Sequence, residues 1–159
     1  MWTNNFLFRK NYNPDSSVTK TSELVGLIDW QVSMRGLVTT DIAHLTAYSL
    51  DPFDRRGERL NALLDKYYQV FESHIHRYAK PTTSPRLKMP FSRAELDQLY
   101  ERVYPMNAFF AMGHISLMLQ TAYTKKTDTQ RRHLVERVVA NLADAIEIVV
   151  KQNSNAEKS

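Results

Sequence analysis

Trp2-Thr3-Asn4-Asn5-Phe6-Leu7-Phe8 at the start of the chain, and Glu23-Leu24-Val25-Gly26-Leu27-Ile28-Asp29-Trp30-Gln31 further on, decide how the rest is read. Phe6 to Phe8 and Glu23 to Ile28 are short apolar runs. Between them Asn11-Tyr12-Asn13-Pro14-Asp15-Ser16-Ser17 gathers residues that favour turns. Two such runs around a turn cluster predict the strands of a hairpin. Beyond Thr40 the pattern is helical, so the expected fold is mainly α with one small β-hairpin.

Asp41 to Leu50 reads as a short helix. Leu60, Leu63, Leu64, Tyr67, Tyr68, Phe71 and Ile75 follow the three-and-four spacing of one face of a long amphipathic helix. Pro81, Pro85 and Pro90 with Thr82, Thr83 and Ser84 cannot continue it and predict a surface loop. Ser92 followed by Glu95 is a capping box, so a helix should begin there. Pro105 is expected to break or kink that helix near Val103. The apolar segment Met106 to Leu119 is shorter than the roughly 20 residues a membrane span needs and reads as a buried helix. Leu134, Val135, Val138, Val139, Leu142, Ile146, Val149 and Val150 form a final apolar stripe. The expected organisation is one domain over 1–152, with the hairpin in 1–31 and helices in 41–152, followed by a disordered polar tail at 153–159.

With 159 residues and 43% hydrophobic content, the chain is long and apolar enough for one compact core. It has no cysteine, which excludes disulfides, thiolate metal sites and cysteine nucleophiles. A net charge of +4 is small and spread along the chain, which argues against nucleic acid as a partner. No charged segment leads into an apolar run at the start, so no secretory signal is visible and a cytoplasmic setting is expected.

The hairpin carries the chemistry. Two strands can present one side chain each to a common ion, and Mg2+ takes hard oxygen ligands, commonly one or two from protein with phosphates and waters completing the shell. Asn5 and Asp29 supply an amide oxygen and a carboxylate of that kind. The bland alternative is that Asn4 and Asn5 form a turn and Asp29 a strand-end cap. Elsewhere, His74 and His76 are two apart on a helix and point away from one another. Asp41 and His44 are three apart and can meet, but two ligands without a third favour a local hydrogen bond over zinc. His114 reads as a core or groove residue. Arg55-Arg56, Lys125-Lys126 and Arg131-Arg132 read as solvated faces.

Trp2-Thr3-Asn4-Asn5, then Ile28-Asp29-Trp30-Gln31, then Asp41-Ile42-Ala43 resembles the second half of the CHK kinase-like family, also called ecdysteroid kinase-like. That family is related to choline kinases and aminoglycoside phosphotransferases. The resemblance implies a helical C-terminal lobe of the protein-kinase-like fold, with Asn5 and Asp29 as magnesium ligands. It implies that Asp41 is a buried aspartate that braces the catalytic loop. It also implies that the catalytic aspartate of the His-Gly-Asp element falls immediately before Met1, and that the N-terminal lobe with its phosphate-covering loop and lysine is absent. Full-length relatives are expected to use Mg2+ and ATP to phosphorylate a small-molecule alcohol, whereas this chain is expected to bind nucleotide weakly or not at all. The competing expectation is a non-catalytic helical module that binds a protein over the face the missing lobe leaves uncovered.

Overall fold

The computed structural model describes residues 6–9, 23–27, 36–78, 89–120 and 127–157. Strand β1 (Phe6–Arg9) pairs antiparallel with β2 (Glu23–Leu27), Phe6 opposite Leu27 and Arg9 opposite Glu23. The register slips by one residue between Leu7, which faces Gly26, and Phe8, which faces Leu24. Val25 is therefore the extra residue of a β-bulge, a device that bends and twists a strand locally. Four helices follow: α1 (Thr40–Ser49), α2 (Gly57–Tyr78), α3 (Arg93–Gln120) and α4 (Asp128–Ala156). The described part is mainly helical with one small strand pair, as the patterning predicts.

Helix α3 is the axis of the helical part and packs against α1, α4 and, more lightly, α2. Its buried face carries Leu96, Tyr100, Val103, Tyr104, Ala108 and Ala111, which meet Ile42, Ala43 and Ala47 of α1, Leu64 of α2 and Ala145 of α4. The alanines matter here. Ala43, Ala47, Ala108 and Ala111 are fully buried, and a side chain that ends at Cβ lets helix axes approach toward the short end of the usual 8–10 Å.

Local chemistry sets the helix boundaries. The Ser92 hydroxyl accepts from the Glu95 amide at 3.2 Å while the Glu95 carboxylate accepts from the Ser92 amide at 2.6 Å, so the predicted capping box opens α3. A second capping box opens α4, with Thr127 Oγ1 accepting from the Gln130 amide and the Gln130 side chain from the Thr127 amide. Its Thr-x-x-Gln signature stands in the sequence beside the better-known Ser-x-x-Glu. The chain enters α2 through Gly57 at φ 55°, a left-handed conformation that glycine adopts without steric cost.

Three expectations about elements are corrected. Pro105 does not break the chain, because α3 runs through it. The ring removes the amide that would bond the carbonyl four residues back, at Glu101. Gln152 Nε2 of α4 donates to that carbonyl at 3.3 Å, and Lys151 Nζ pairs with the Glu101 carboxylate at 2.7 Å. The segment Met106 to Leu119 is buried along one side only: Asn107, Ala108, Ala111 and Ile115 are inside, while Met106, Phe109, Phe110 and Leu117 are more than half exposed. The polar residues Asn153 to Ala156 continue α4 rather than forming a tail, since extending an existing helix costs far less than starting one. Ser154 Oγ donates to the Val150 carbonyl at 3.0 Å there. Among the described residues no helix is long and apolar enough to cross a membrane. The proline-rich loop lies outside the described residues apart from 89–90.

Candidate functional site

The two expected magnesium ligands, Asn5 and Asp29, lie outside the described residues. What is described is the strand pair they adjoin. Phe6 and Leu27 are register partners, Asn5 is bonded to Phe6, and Asp29 follows Leu27 by two residues.

Asp41 occupies the first turn of α1, where a carboxylate is favoured by the amide end of the helix dipole. It is exposed, not buried as expected. The buried position beside it is Thr39, the N-cap residue, whose side chain makes no capping bond. The order Asp-Ile-Ala puts Ile42 and Ala43 into the core, and a helix that buries those two faces its preceding residue outward.

Behind Asp41, α1 is fixed by polar side chains inside the core. Thr46 Oγ1 lies 2.8 Å from the Tyr100 hydroxyl of α3. The Tyr104 hydroxyl donates to Asn141 Oδ1 at 2.9 Å, and Asn141 Nδ2 donates to the Ala47 carbonyl at 2.7 Å, so one asparagine of α4 ties α1 and α3 together. Burial pushes the Tyr100 phenol well up and that of Tyr104 up to about 12, which keeps both as neutral hydrogen-bonding groups.

The loop between α1 and α2 corrects the reading of Arg55-Arg56 as a solvated pair. Arg55 is buried, with Nε donating to Asp144 Oδ2 at 3.0 Å and Nη1 to the Leu50 carbonyl at 3.4 Å. Arg56 is half exposed and holds the other oxygen of Asp144, with its Nε at 2.7 Å. Arg137 Nη1 donates to the Tyr48 carbonyl at 3.1 Å. Cations thus gather where the carbonyl end of α1 favours them. A cleft of about 470 Å3 opens beside this loop, lined by Asp51, Pro52, His133, Glu136 and Arg137. Its carboxylates and cations are mixed and no single charge dominates.

His44 and His114 flank Tyr48. The His44 ring stacks on Tyr48 with centroids 4.0 Å apart and planes 10° apart, and His114 of α3 tilts against the same ring at 5.7 Å and 60°. Burial holds the His44 pKa below the ordinary value. His74 is exposed, with Nδ1 2.8 Å from the Val70 carbonyl. The side chain of His76 lies outside the described residues, as does Lys125-Lys126, whereas Arg131 and Arg132 are exposed as expected. Among the described residues no three His, Asp or Glu side chains are placed to hold a metal ion.

The chain belongs to the DUF1679 family, described as "uncharacterized oxidoreductase dhs-27", whose model matches residues 1–154. The match runs from the strand pair through nearly all of α4. Comparison with curated proteins and with solved structures gave no match.

Proposed function

We propose that residues 1–154 are the magnesium-holding strand pair and helical lobe of a small-molecule kinase-like domain, whose complete form transfers the γ-phosphoryl group of ATP to an alcohol. The observation that carries this reading is the order in the sequence of the three motifs that hold Asn5, Asp29 and Asp41, all within the residues that the family model matches. The family falls within the CHK, or ecdysteroid kinase-like, group. The antiparallel strand pair supports the reading, because its register partners Phe6 and Leu27 are the described residues nearest in sequence to Asn5 and Asp29. In phosphoryl transfer the protein supplies position and charge neutralisation, and metal ions bridge the phosphates. Asn5 and Asp29 would hold Mg2+ through one oxygen each, leaving the remaining positions to phosphates and water. The metal would neutralise charge that develops on the transferred group.

The family description names an oxidoreductase, and that word is said of the protein it describes. A dinucleotide fingerprint needs three glycines within six residues at a strand-to-helix turn. The glycines here are Gly26, Gly36, Gly57 and Gly113, each ten or more residues from the next, so the chain carries no such turn. Phosphoryl transfer therefore fits these residues better than hydride transfer.

The base that orients the acceptor hydroxyl is expected one residue before Met1, and neither Asp15 nor Asp29 is positioned by the motif to replace it. Residues 1–159 alone should give no measurable phosphoryl transfer with Mg2+ and ATP across a panel of alcohols. The same chain extended upstream through a kinase N-terminal lobe should turn over, and Asp29→Ala in that form should abolish it. Sustained metal-dependent turnover by residues 1–159, lost in Asp29→Ala, contradicts the assignment of the base. A non-catalytic interaction module is the second reading, favoured by the exposed Met106, Phe109, Phe110 and Leu117 of α3. It predicts an extended chain that stays inactive.

A further inference from the structure

Glu101 near the start of α3 meets Lys151 and Gln152 near the end of α4, so the two helices pair antiparallel, and α1 lies against one side of the pair. Tyr100 of α3 meets Thr46 at 2.8 Å, and Asn141 of α4 donates to the Ala47 carbonyl at 2.7 Å. At about 100° per residue, Phe109 lies half a turn round α3 from Tyr100, and Val139 lies about 200° round α4 from Asn141. Both therefore point from the side of the pair opposite α1. That side is apolar. On α4, Val135, Val139, Ile146 and Val149 are exposed and Leu142 is half-buried, in steps of four, three, four and three residues. This is the spacing of a coiled-coil seam.

We infer that a second copy of this chain docks on this side, the two α3–α4 pairs completing an antiparallel four-helix bundle. Nine large apolar side chains of α3 and α4 are 41–63% exposed, and together they offer on the order of 800 Å2 of surface. The largest patch of a typical monomer is about 300–600 Å2, whereas about 800 Å2 is what one partner gives to a standard-size interface. Shape points to the same occupant. With 28 and 29 residues, α3 and α4 present a side about 42 Å long, and another α3–α4 pair matches it in both length and seam.

Symmetry then sets the register, because in a two-fold contact each residue meets its counterpart reciprocally. An antiparallel seam places Val139 against the partner's Val149 and Leu142 against the partner's Ile146. The axis crosses α4 midway between Leu142 and Ile146. Eight residues along α3 from Glu101, and eight back along α4 from Gln152, bring Phe109 beside that point, so its ring meets its own copy there. Charge agrees with this direction. Arg131 and Arg132 close the first turn of α4, where the amide end of a helix disfavours cations, and its last turn has no basic residue. An antiparallel partner sets its carbonyl end beside these two cations, with Arg131 level with the partner's Glu157. The docking needs neither metal nor nucleotide and does not depend on the phosphoryl-transfer reading.

The test is sedimentation equilibrium on residues 1–159 across the micromolar range, which should give twice the 18.5 kDa of one chain. Val139→Lys and Ile146→Lys alter exposed positions, so each should keep the helical circular dichroism signal while weakening the dimer by about tenfold or more, since a charge then lies in the apolar centre of the contact. The chain has no cysteine, so Phe109→Cys introduces a single thiol. Under mild oxidation it should form a disulfide with its own copy, whereas Phe53→Cys, exposed on the loop between α1 and α2, should not. Should the lysine variants fail to fold, the comparison of the two cysteine variants decides. A chain that stays monomeric, including one whose apolar side instead takes up an amphipathic peptide or a lipid vesicle, overturns the inference. So does a series of species larger than a dimer, a dimer that either lysine variant leaves unchanged, or cross-linking of Phe53→Cys as fast as that of Phe109→Cys.

Discussion

Asp144 holds two guanidinium groups at once, and one of them, on Arg55, has no exposed side-chain surface. Removing one partner of a buried pair leaves the other charged and unsolvated, which is costlier than the pair is stabilising. Asp144→Ala should therefore destabilise the chain by about 3 kcal/mol, toward the low end for buried pairs because Asp144 itself keeps some solvent contact. Urea unfolding would show this as a lower midpoint with an unchanged slope. Nothing in the sequence marks this residue. Its partners are 88 and 89 positions away, and an Arg-Arg doublet after Pro52 has the look of solvated surface. Asp41 shows the opposite case. The motif located the residue at the head of a helix, but which way a side chain faces depends on which neighbours the core takes, and the core takes Ile42 and Ala43. Asn141 was equally illegible, since it joins Tyr104 and Ala47 across separations of 37 and 94 residues.

Elements were far more legible than contacts, because periodicity and capping are local. The strand pair, α1, α2 and the start of α3 follow from apolar spacing, turn chemistry and the Ser92–Glu95 box. Of the break or kink expected at Pro105, the break does not occur, for a physical reason. A proline removes one hydrogen bond and crowds the preceding turn, yet it need not end a helix whose freed carbonyl finds another donor. Here that donor is Gln152, carried by the stretch of α4 that borders the expected tail. The unbroken helix at Pro105 and the helical residues 153–156 are thus related, since the long α4 brings Gln152 and Lys151 to Glu101. Pro105→Ala should restore the backbone bond inside α3 and stabilise the chain by about 1–3 kcal/mol. Thermal unfolding would show a raised midpoint. A fall of similar size would contradict this.

At the scale of the whole molecule, α3 carries a core of small and aromatic side chains that positions α1, and the strand pair brings the neighbours of Phe6 and Leu27 to one end. The fold class was readable from patterning; the proposed site rests on motif order alone, because Asn5 and Asp29 are distant in sequence and gain meaning only as a pair. The central claim is that this pair holds a hard divalent cation. Mn2+ shares the oxygen preference of Mg2+ and broadens NMR signals of nearby nuclei, so even weak binding is visible. Titrating Mn2+ into residues 1–159 should broaden the amides of Phe6, Leu7 and Gly26 before those of α3 and α4, and Asp29→Ala should abolish that preference. Broadening that spares the strand pair, or that persists unchanged in Asp29→Ala, would contradict the account.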